Sequence, residues 1–320
     1  MALKSSKLTT ALRVVGLVGG LGAFALAFRS IPLDELKSLL ATSFNLNFVA
    51  ALIAWVVGLV FEAYRWQVMV NQREHLSLLV ALRLDALNRL TNLVLPFRAG
   101  EAVRVMGARK HTGIDTAYLV ATVVNERVFN TLLLSLIALL LTWMVPQLRP
   151  FRLITVAVNV LWLFGALWFL KNGTARRGDN NVKLKTERMV LKVRLSDHWR
   201  KFAAGTAILR NPYVLARVAI SSVASWCLIW LALFLLLKSF SPDQPVLAAW
   251  TLWLIMNVAT LLPVTPSNLG PFQWACILAL SFFGVSQTEA VAFSMLLLAI
   301  RVPAALIIGF AGMLPWLASG

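Results

Sequence analysis

One stretch of the chain, NRLTNLVLPFRAGEAVR at residues 88–104, places polar side chains beside residues that interrupt a helix. Asp85, Asn88 and Asn92 follow each other at helical spacing and therefore form one polar stripe. Pro96 then removes a backbone donor and ends or kinks the helix. The stripe has two interpretations: it binds a ligand, or it satisfies the backbone groups that the break at Pro96 leaves without partners.

Two arginines follow the same break. Arg98 and Arg104 flank Gly100 and Glu101. The planar guanidinium group matches a phosphate better than any other side chain, which makes both arginines candidates for an anion site. Arg104 is also followed by Arg109, and both lie where basic residues commonly anchor a membrane helix at the cytoplasmic surface. For Arg104 the binding and anchoring interpretations both stay open.

Further charges interrupt apolar runs, where a charge at the membrane centre costs about 2.5–3.5 kcal/mol. Glu126 and Arg127 lie deep in a long run, too deep to reach the surface easily, which favours a functional role or a buried pair. Arg301 lies midway through the last apolar run. It occupies the position in the second half of the chain that Arg127 occupies in the first. In two further pairs, the acid and the arginine have helical spacing and are expected to neutralise each other. These pairs are Glu62 with Arg65, and Asp85 with Arg89.

The composition indicates which elements must hold these residues. The chain has 320 residues, is 59% hydrophobic and has a mean hydropathy of +0.78, while only 13% of its residues are charged, against roughly 25% in soluble proteins. Apolar segments long enough to cross a bilayer recur along it. They lie at about residues 12–28, 47–70, 76–97, 114–145, 151–170, 213–238, 246–262, 269–284 and 286–316.

These segments predict an all-α polytopic integral membrane protein with about six full transmembrane helices. Segment 76–97 breaks at Pro96 and Gly100, and the pair 246–284 breaks at LLPVTPSNLGPF. Irregular backbone at membrane depth survives only where protein or a watery cavity covers it, so both regions are predicted to be re-entrant or broken helical hairpins. The residues that break the second hairpin are Pro263, Pro266 and Gly270.

The net charge of +17 is explained by cytoplasmic loops of a membrane protein rather than by nucleic-acid binding. Residues 171–210 carry eleven Lys and Arg against three Asp and Glu, which predicts a cytoplasmic loop that contacts anionic lipid headgroups. Lys4 and Lys7 place the N-terminus inside, ahead of an uncleaved first helix. The resulting topology puts both termini in the cytoplasm.

With hairpins that return to their own side, the order helix, broken hairpin, long helix occurs twice in opposite orientation. This order predicts an inverted-topology repeat with halves 47–145 and 213–316, within a single transmembrane domain spanning 1–320. Broken segments at corresponding positions of two such halves point to a transport site.

Other site types find no support in the sequence. Cys227 and Cys276 lie in apolar runs and behave as small hydrophobes, so no disulfide framework is expected. The three histidines have no metal-ligand spacing. Serine elbows, Cys/His pairs and nucleotide loops are missing as well. We therefore expect no metal, no cofactor and no enzymatic activity.

The first motif resembles a known family. The pattern N-x3-N-x3-P-x-R-x-G-E-x2-R from Asn88 is similar to the membrane domain of lysylphosphatidylglycerol synthases and their stand-alone flippase-like relatives. Glu126-Arg127, LPVTPSNLGPFQ and Arg301 resemble later elements of this family. The chain departs from the family pattern at Ser267 and Asn268, which replace paired glycines, and at Gln273, which replaces a glutamate. We expect this chain to lack the aminoacyl-transferring soluble domain of the full synthases.

The resemblance implies a flippase that moves a phospholipid or a polyprenyl-phosphate-linked lipid between leaflets. The lipid phosphate would be held by Arg98, Arg127 and Arg301. The headgroup would be hydrogen-bonded by Asn88, Asn92 and Asn268, and the two hairpins would meet near the midplane. The substrate-binding candidates are Asn88, Asn92, Arg98, Glu101, Arg104, Glu126, Arg127, Asn268, Gln273 and Arg301. The alternative is a non-transporting subunit that presents lipid to a biosynthetic enzyme through the basic loop.

Overall fold

A computed structural model describes residues 31–95, 98–172, 211–239, 241–259 and 270–317, together with the isolated positions 22, 26 and 29. Side chains at 166–172 and 314–317 are not described. The described part contains ten α-helices, one 3₁₀ helix and no strand, which confirms the all-α prediction. The predicted first span at 12–28 and most of the basic loop at 171–210 lie outside the described residues.

The helices are numbered here in chain order. They are α1 (Leu33–Ser43), α2 (Leu46–Val70), α3 (Leu78–Val94), α4 (Ala99–Thr112), α5 (Thr116–Met144), a 3₁₀ helix (Pro146–Phe151), α6 (Arg152–Asn172), α7 (Pro212–Lys238), α8 (Val246–Ala259), α9 (Pro271–Ser281) and α10 (Gln287–Leu317).

Five helical segments of the described chain are long and apolar enough to cross a membrane. They correspond to five of the six predicted spans, and the sixth is the segment at 12–28. Large apolar side chains such as Leu153, Leu161 and Phe164 are exposed on α6, as expected for a helix that faces lipid. The spans are Leu46–Val70, Thr116–Met144, Pro146–Gly165, Pro212–Lys238 and Gln287–Met313.

Both predicted hairpins are pairs of short helices: α3 packs against α4, and α8 packs against α9. The second arm of the first hairpin was not recognised in the sequence, because α4 is polar and ends in Arg109, Lys110 and His111. Those cations suit the negative end of the helix dipole. Helix α1 was missed as well, since it lies between the predicted segments 12–28 and 47–70. Its first turn contains Asp34 and Glu35, which suit the opposite end of the dipole.

The chain forms two compact units. The first comprises Met1–Gly113 and Ala216–Gly320, and the second Ile114–Leu215. Within the second unit, α5 and α6 are joined by Asn159, whose Nδ2 donates to the carbonyl oxygen of Ser135 at 3.0 Å. The sequence order of long helix, two short helices and long helix does occur twice. This division runs through the predicted half 47–145, so the inverted repeat stays a prediction.

Within the first unit, helix α10 packs against α1, α2, α3 and α9. Its closest approach to α3 depends on two glycines. A Cβ at Gly312 would lie 2.5 Å from the carbonyl oxygen of Leu79, and one at Gly309 would lie 3.0 Å from Cβ of Ala86. Glycine therefore lets the backbone of α10 come close to the first hairpin, and this packing brings Arg301 of α10 near the charges of α3.

Candidate functional site

The break in the first hairpin is closed by its own amides. Asn92 Oδ1 accepts a hydrogen bond from the backbone N–H of Gly100 at 2.9 Å, and Asn92 Nδ2 donates to Asn88 Oδ1 at 3.0 Å. Gly100 lies so close that a Cβ there would be 2.0 Å from the carbonyl oxygen of Asn88. These contacts support the interpretation that the amides satisfy freed backbone groups. Headgroup binding by them stays a prediction, and Pro96 lies outside the described residues.

Arg98 is the N-cap residue immediately before helix α4 and has a left-handed backbone. Its φ of 54° is the one positive value among the described non-glycine residues. This conformation costs an L-residue about 1–2 kcal/mol, and such strain tends to persist at functional positions. Glu101 follows in the first turn of α4, where a carboxylate interacts favourably with the helix dipole. Both side chains are half-buried.

Asp85 is the centre of an ion-pair network inside the first hairpin. Arg89 Nε donates to Asp85 Oδ2 at 2.8 Å, as the sequence predicted, and Arg104 Nη1 donates to Asp85 Oδ1 at 3.3 Å. Arg104 is 5% exposed, and its guanidinium lies 4.5 Å from the ring centroid of Trp66. Burial, an ion pair and a cation–π contact support a place for Arg104 in the interior rather than as a surface anchor.

The network continues onto helices α2 and α7. Glu62 forms an ion pair with Arg89, and its Oε1 accepts a hydrogen bond from Ser225 at 3.2 Å. The sequence predicted a pairing of Glu62 with Arg65, but Glu62 pairs with Arg89. Arg65 instead donates to Ser222 Oγ at 3.2 Å and acts electrostatically on Asp85. Each carboxylate therefore uses both of its oxygens.

Arg301 adds a fourth guanidinium. It lies 5.2 Å from the ring centroid of Phe272 and close enough to Arg89 for the two like charges to repel. Among the described residues, Arg301 forms no ion pair with a carboxylate. We call the following set the charged cluster: Glu62, Arg65, Asp85, Arg89, Arg104 and Arg301. It contains four arginines and two carboxylates.

The second hairpin also closes its break with an amide. Gly270 has a φ of 87°, a backbone conformation that favours glycine, and its N–H donates to Gln273 Oε1 at 2.8 Å. Gln273 is fully buried, and its Nε2 has no hydrogen-bond partner within the described part of the chain. Pro263, Pro266 and Asn268 lie outside the described residues.

Glu126 and Arg127 belong to the second unit, on helix α5. Glu126 is buried and Arg127 is exposed, so these neighbours lie on different faces of the helix. Arg98 and Arg301 belong to the first unit. The predicted meeting of these three arginines around one phosphate therefore stays a prediction.

The sequence did not reveal three residues that complete the charged cluster. Trp66 makes a cation–π contact with Arg104. On helix α7, Ser222 accepts a hydrogen bond from Arg65, and Ser225 donates one to Glu62. A signal was available for the serines: SSVAS at residues 221–225 places three hydroxyl groups inside an otherwise apolar span. Trp66 gave no such signal, because a tryptophan in a membrane helix is ordinary.

The comparisons with known proteins identify the family. Residues 13–309 match the family described as the lysylphosphatidylglycerol synthase TM region. The chain belongs to this family. No curated protein and no solved structure matches it. Together with the five apolar spans, the family establishes an integral membrane protein of a lipid-related type.

Proposed function

We propose that the protein moves a phosphate-containing lipid between the leaflets of a bacterial-type cytoplasmic membrane. The observation that carries this proposal is the surplus of arginine in the charged cluster. A charge at membrane depth costs about 2.5–3.5 kcal/mol, and such residues usually mark a substrate path. A lipid phosphate would offset that cost, because the arginine fork donates two parallel hydrogen bonds to phosphate oxygens.

In this mechanism only the headgroup crosses a polar path, while the acyl or prenyl tails stay in the bilayer. Arg301 and Arg89 would hold the phosphate, with Arg98 and Arg127 as further predicted contacts. Inverted halves that rock against each other would expose the site to one side and then to the other. The proposed topology keeps both termini in the cytoplasm, and we assign the chain no catalytic step.

The test is lipid transfer by the purified protein in proteoliposomes, measured as the accessibility of a headgroup-labelled phospholipid to an impermeant quencher. We expect transfer above the level of empty vesicles, and a loss of at least about tenfold in Arg301→Gln, equivalent to about 1.4 kcal/mol. Arg152→Gln is the matched control, because Arg152 also stacks on an aromatic ring, 4.1 Å from the centroid of Trp143, but belongs to α6. Transfer at the empty-vesicle level for phospholipids and for polyprenyl phosphates would refute the proposal.

The alternative, a subunit that presents lipid to a biosynthetic enzyme, is favoured by the basic stretch at 171–210. Two sets of variants discriminate between the proposals. If the protein transports lipid, Arg98→Ala and Arg127→Ala should lower the rate of lipid transfer. If it docks an enzyme, neutralising the lysines and arginines of that stretch should weaken the binding of the enzyme. A co-purifying enzyme, combined with no transfer by the isolated chain, would favour the docking role.

A further inference from the structure

The second hairpin contains a buried amide, Gln273, in the neighbourhood of Arg301. We propose that Gln273 selects the lipid headgroup: its Nε2 donates to a neutral oxygen, a hydroxyl or a carbonyl, of the headgroup whose phosphate Arg301 holds. A headgroup with an ammonium group in that position is disfavoured. This inference rests on the proposed function and narrows its substrate class.

The turn before α9 determines the orientation of the Gln273 amide. The N–H of Gly270 requires an acceptor, and Gln273 Oε1 supplies it at 2.8 Å. The oxygen and nitrogen of an amide are assigned from such hydrogen bonds, and the reverse orientation would place two donors against each other. Nε2, and not Oε1, is therefore the atom that is left for a ligand.

This NH2 group is enclosed by protein and makes no hydrogen bond within the described residues. Gln273 is 0% exposed, and its Nε2 has no acceptor there. Buried polar groups without a partner are uncommon in folded proteins, because they lose their bonds to water and gain none in return. An oxygen of the ligand would supply the missing acceptor.

Helix α9 places the amide close to Arg301. The guanidinium carbon of Arg301 lies 5.2 Å from the ring centroid of Phe272, and Arg301 is near enough to Cys276 for an electrostatic interaction. Phe272 directly precedes Gln273, and Cys276 follows it by three residues on the same side of the helix. Helix α9 also packs against α10, which contains Arg301. Gln273 therefore lies between the two residues of α9 that border the guanidinium.

The start of α9 adds a third favourable element for an acceptor. Pro271 occupies the first position of this helix, and the N-terminus of a helix carries a partial positive charge that attracts anions. We call the following set the donor subsite: the guanidinium of Arg301, Nε2 of Gln273 and the N-terminus of α9.

The donor subsite distinguishes between two kinds of headgroup. Arg301 forms no ion pair with a carboxylate among the described residues, and Oε1 of Gln273 already accepts from Gly270. An ammonium group only donates, so it would leave Nε2 without an acceptor and would be repelled by the guanidinium. A phosphate next to a hydroxyl or carbonyl oxygen provides an acceptor for each donor.

Two lipids of equal charge test the role of the amide. Phosphatidylglycerol and phosphatidylpropanol with identical acyl chains both carry one negative charge and differ only in the two headgroup hydroxyls. Each would be titrated into the purified protein in phosphatidylcholine nanodiscs, with binding followed by native mass spectrometry. We expect phosphatidylglycerol to bind at least about threefold more tightly, as one hydrogen bond to a buried donor predicts. Equal affinity, tighter binding of phosphatidylpropanol, or no binding of either lipid would overturn the inference.

A substitution then assigns the preference to Gln273. In Gln273→Glu the carboxylate still accepts the N–H of Gly270, but an oxygen replaces the donor. The ratio of the affinities for phosphatidylglycerol and phosphatidylethanolamine should fall at least about tenfold in this variant, because the new oxygen accepts from the ammonium group. Gln72→Glu is the matched control, since it adds the same charge at an exposed position after α2 and should leave the ratio unchanged. An unchanged ratio in Gln273→Glu, or an equal change in both variants, would contradict the assignment.

A soluble ligand could present the same chemistry, a phosphate next to hydroxyl groups. Glycerol 3-phosphate carries these groups without acyl chains, and it would be added as a competitor of phosphatidylglycerol. We expect it to compete far less than the lipid itself. Competition at a comparable concentration would assign the donor subsite to a soluble ligand and overturn the lipid assignment.

Binding and transfer separate the two proposals. Transfer of both lipids without a preference in binding would contradict the role of Gln273 and leave the proposed function intact. A preference for phosphatidylglycerol that Gln273→Glu removes, without transfer of any lipid, would support the role of Gln273 and contradict the flippase.

Discussion

At the first hairpin, an amide from the arm before the break closes the turn: Asn92 accepts the N–H of Gly100 and also donates to Asn88. At the second hairpin the amide comes from the arm after the break, where Gln273 accepts the N–H of Gly270. The first four N–H groups of a helix lack partners within the helix, so both amides meet the same requirement. The two amides differ in their NH2 groups. Asn92 Nδ2 donates to Asn88, whereas the buried Nε2 of Gln273 has no partner within the described residues.

This difference indicates a division of labour between the hairpins. The first hairpin uses its amides on its own backbone and contributes three charges to the cluster, Asp85, Arg89 and Arg104. The second contributes no charge of its own but packs against α10, which contains Arg301. Ligand contacts from amides are therefore more to be expected at Gln273 than at Asn88 or Asn92.

Gln273 can make the contact that a glutamate would make at this position of the family pattern. Either side chain offers the oxygen that accepts the N–H of Gly270. Glutamine keeps the turn closed while removing a carboxylate from the neighbourhood of Cys276, a residue that is close to Arg301. Loss of that carboxylate leaves the surplus positive charge larger than it would be with glutamate.

The largest expected loss of stability comes from a substitution in the first hairpin. Asp85→Asn would leave Arg104 with a neutral partner in the interior and Arg89 with Glu62 as its remaining carboxylate. We expect the free energy of unfolding to fall by about 3–5 kcal/mol. Thermal unfolding in detergent measures this loss. Asp34→Asn is the control, because Asp34 pairs with Lys37 at the exposed surface of α1 and its loss should cost little. Equal effects of the two substitutions would contradict the ion-pair network.

A methyl group at the first break should be nearly as harmful. Gly100→Ala would place Cβ against the backbone of Asn88, which cannot move without displacing α3, and we expect a loss of about 1–3 kcal/mol. Gly165→Ala is the matched control on α6, where a Cβ meets nothing within 4 Å and alanine favours the helix. Both variants would be compared with the wild type by thermal unfolding. An unaffected Gly100→Ala variant would show that the two arms are not in close contact.

The two amides can be compared directly. Asn92→Leu removes an acceptor and a donor that are both in use, whereas Gln273→Leu removes one acceptor in use. Leaving a buried N–H without a partner costs about 1–3 kcal/mol, so both variants should lose stability, and Asn92→Leu should lose more. Gln273→Glu should keep the turn intact. A larger loss for Gln273→Leu than for Asn92→Leu would reverse the proposed division of labour.

The smallest effect concerns the polar end of the first hairpin. Arg83 donates to His111 Nε2 at 2.7 Å, which requires a neutral imidazole. Partial burial lowers the pKa of His111 below its usual range, and the charges of Arg83 and Lys110 lower it further. The unfolded chain therefore binds the proton more readily, and stability should decline as the pH falls through about 6.5, the ordinary value for histidine. Thermal unfolding between pH 8 and 5.5 should show a slightly smaller decline in His111→Gln than in the wild type.

Prediction from the sequence worked where a pattern is local. Apolar length predicted five spans, and helical spacing predicted the pair of Asp85 with Arg89. It failed for the partner of Glu62, since Arg89 lies on another helix and no spacing along the chain encodes that contact. It also missed α4, because a polar helix gives no hydropathy signal.

By itself, the sequence determined the membrane class, the order of long and broken helices, and the presence of charged residues within apolar runs, because hydropathy, proline positions and residue charges are properties of the chain alone. Only the tertiary structure decided how those charges are shared. Glycines of α10 let that helix approach α3, which brings Arg301 to Arg89, while the folding of α4 onto α3 buries Arg104 against Asp85. Arg301 becomes a candidate site residue because long-range packing pairs the carboxylates of Asp85 and Glu62 with other residues.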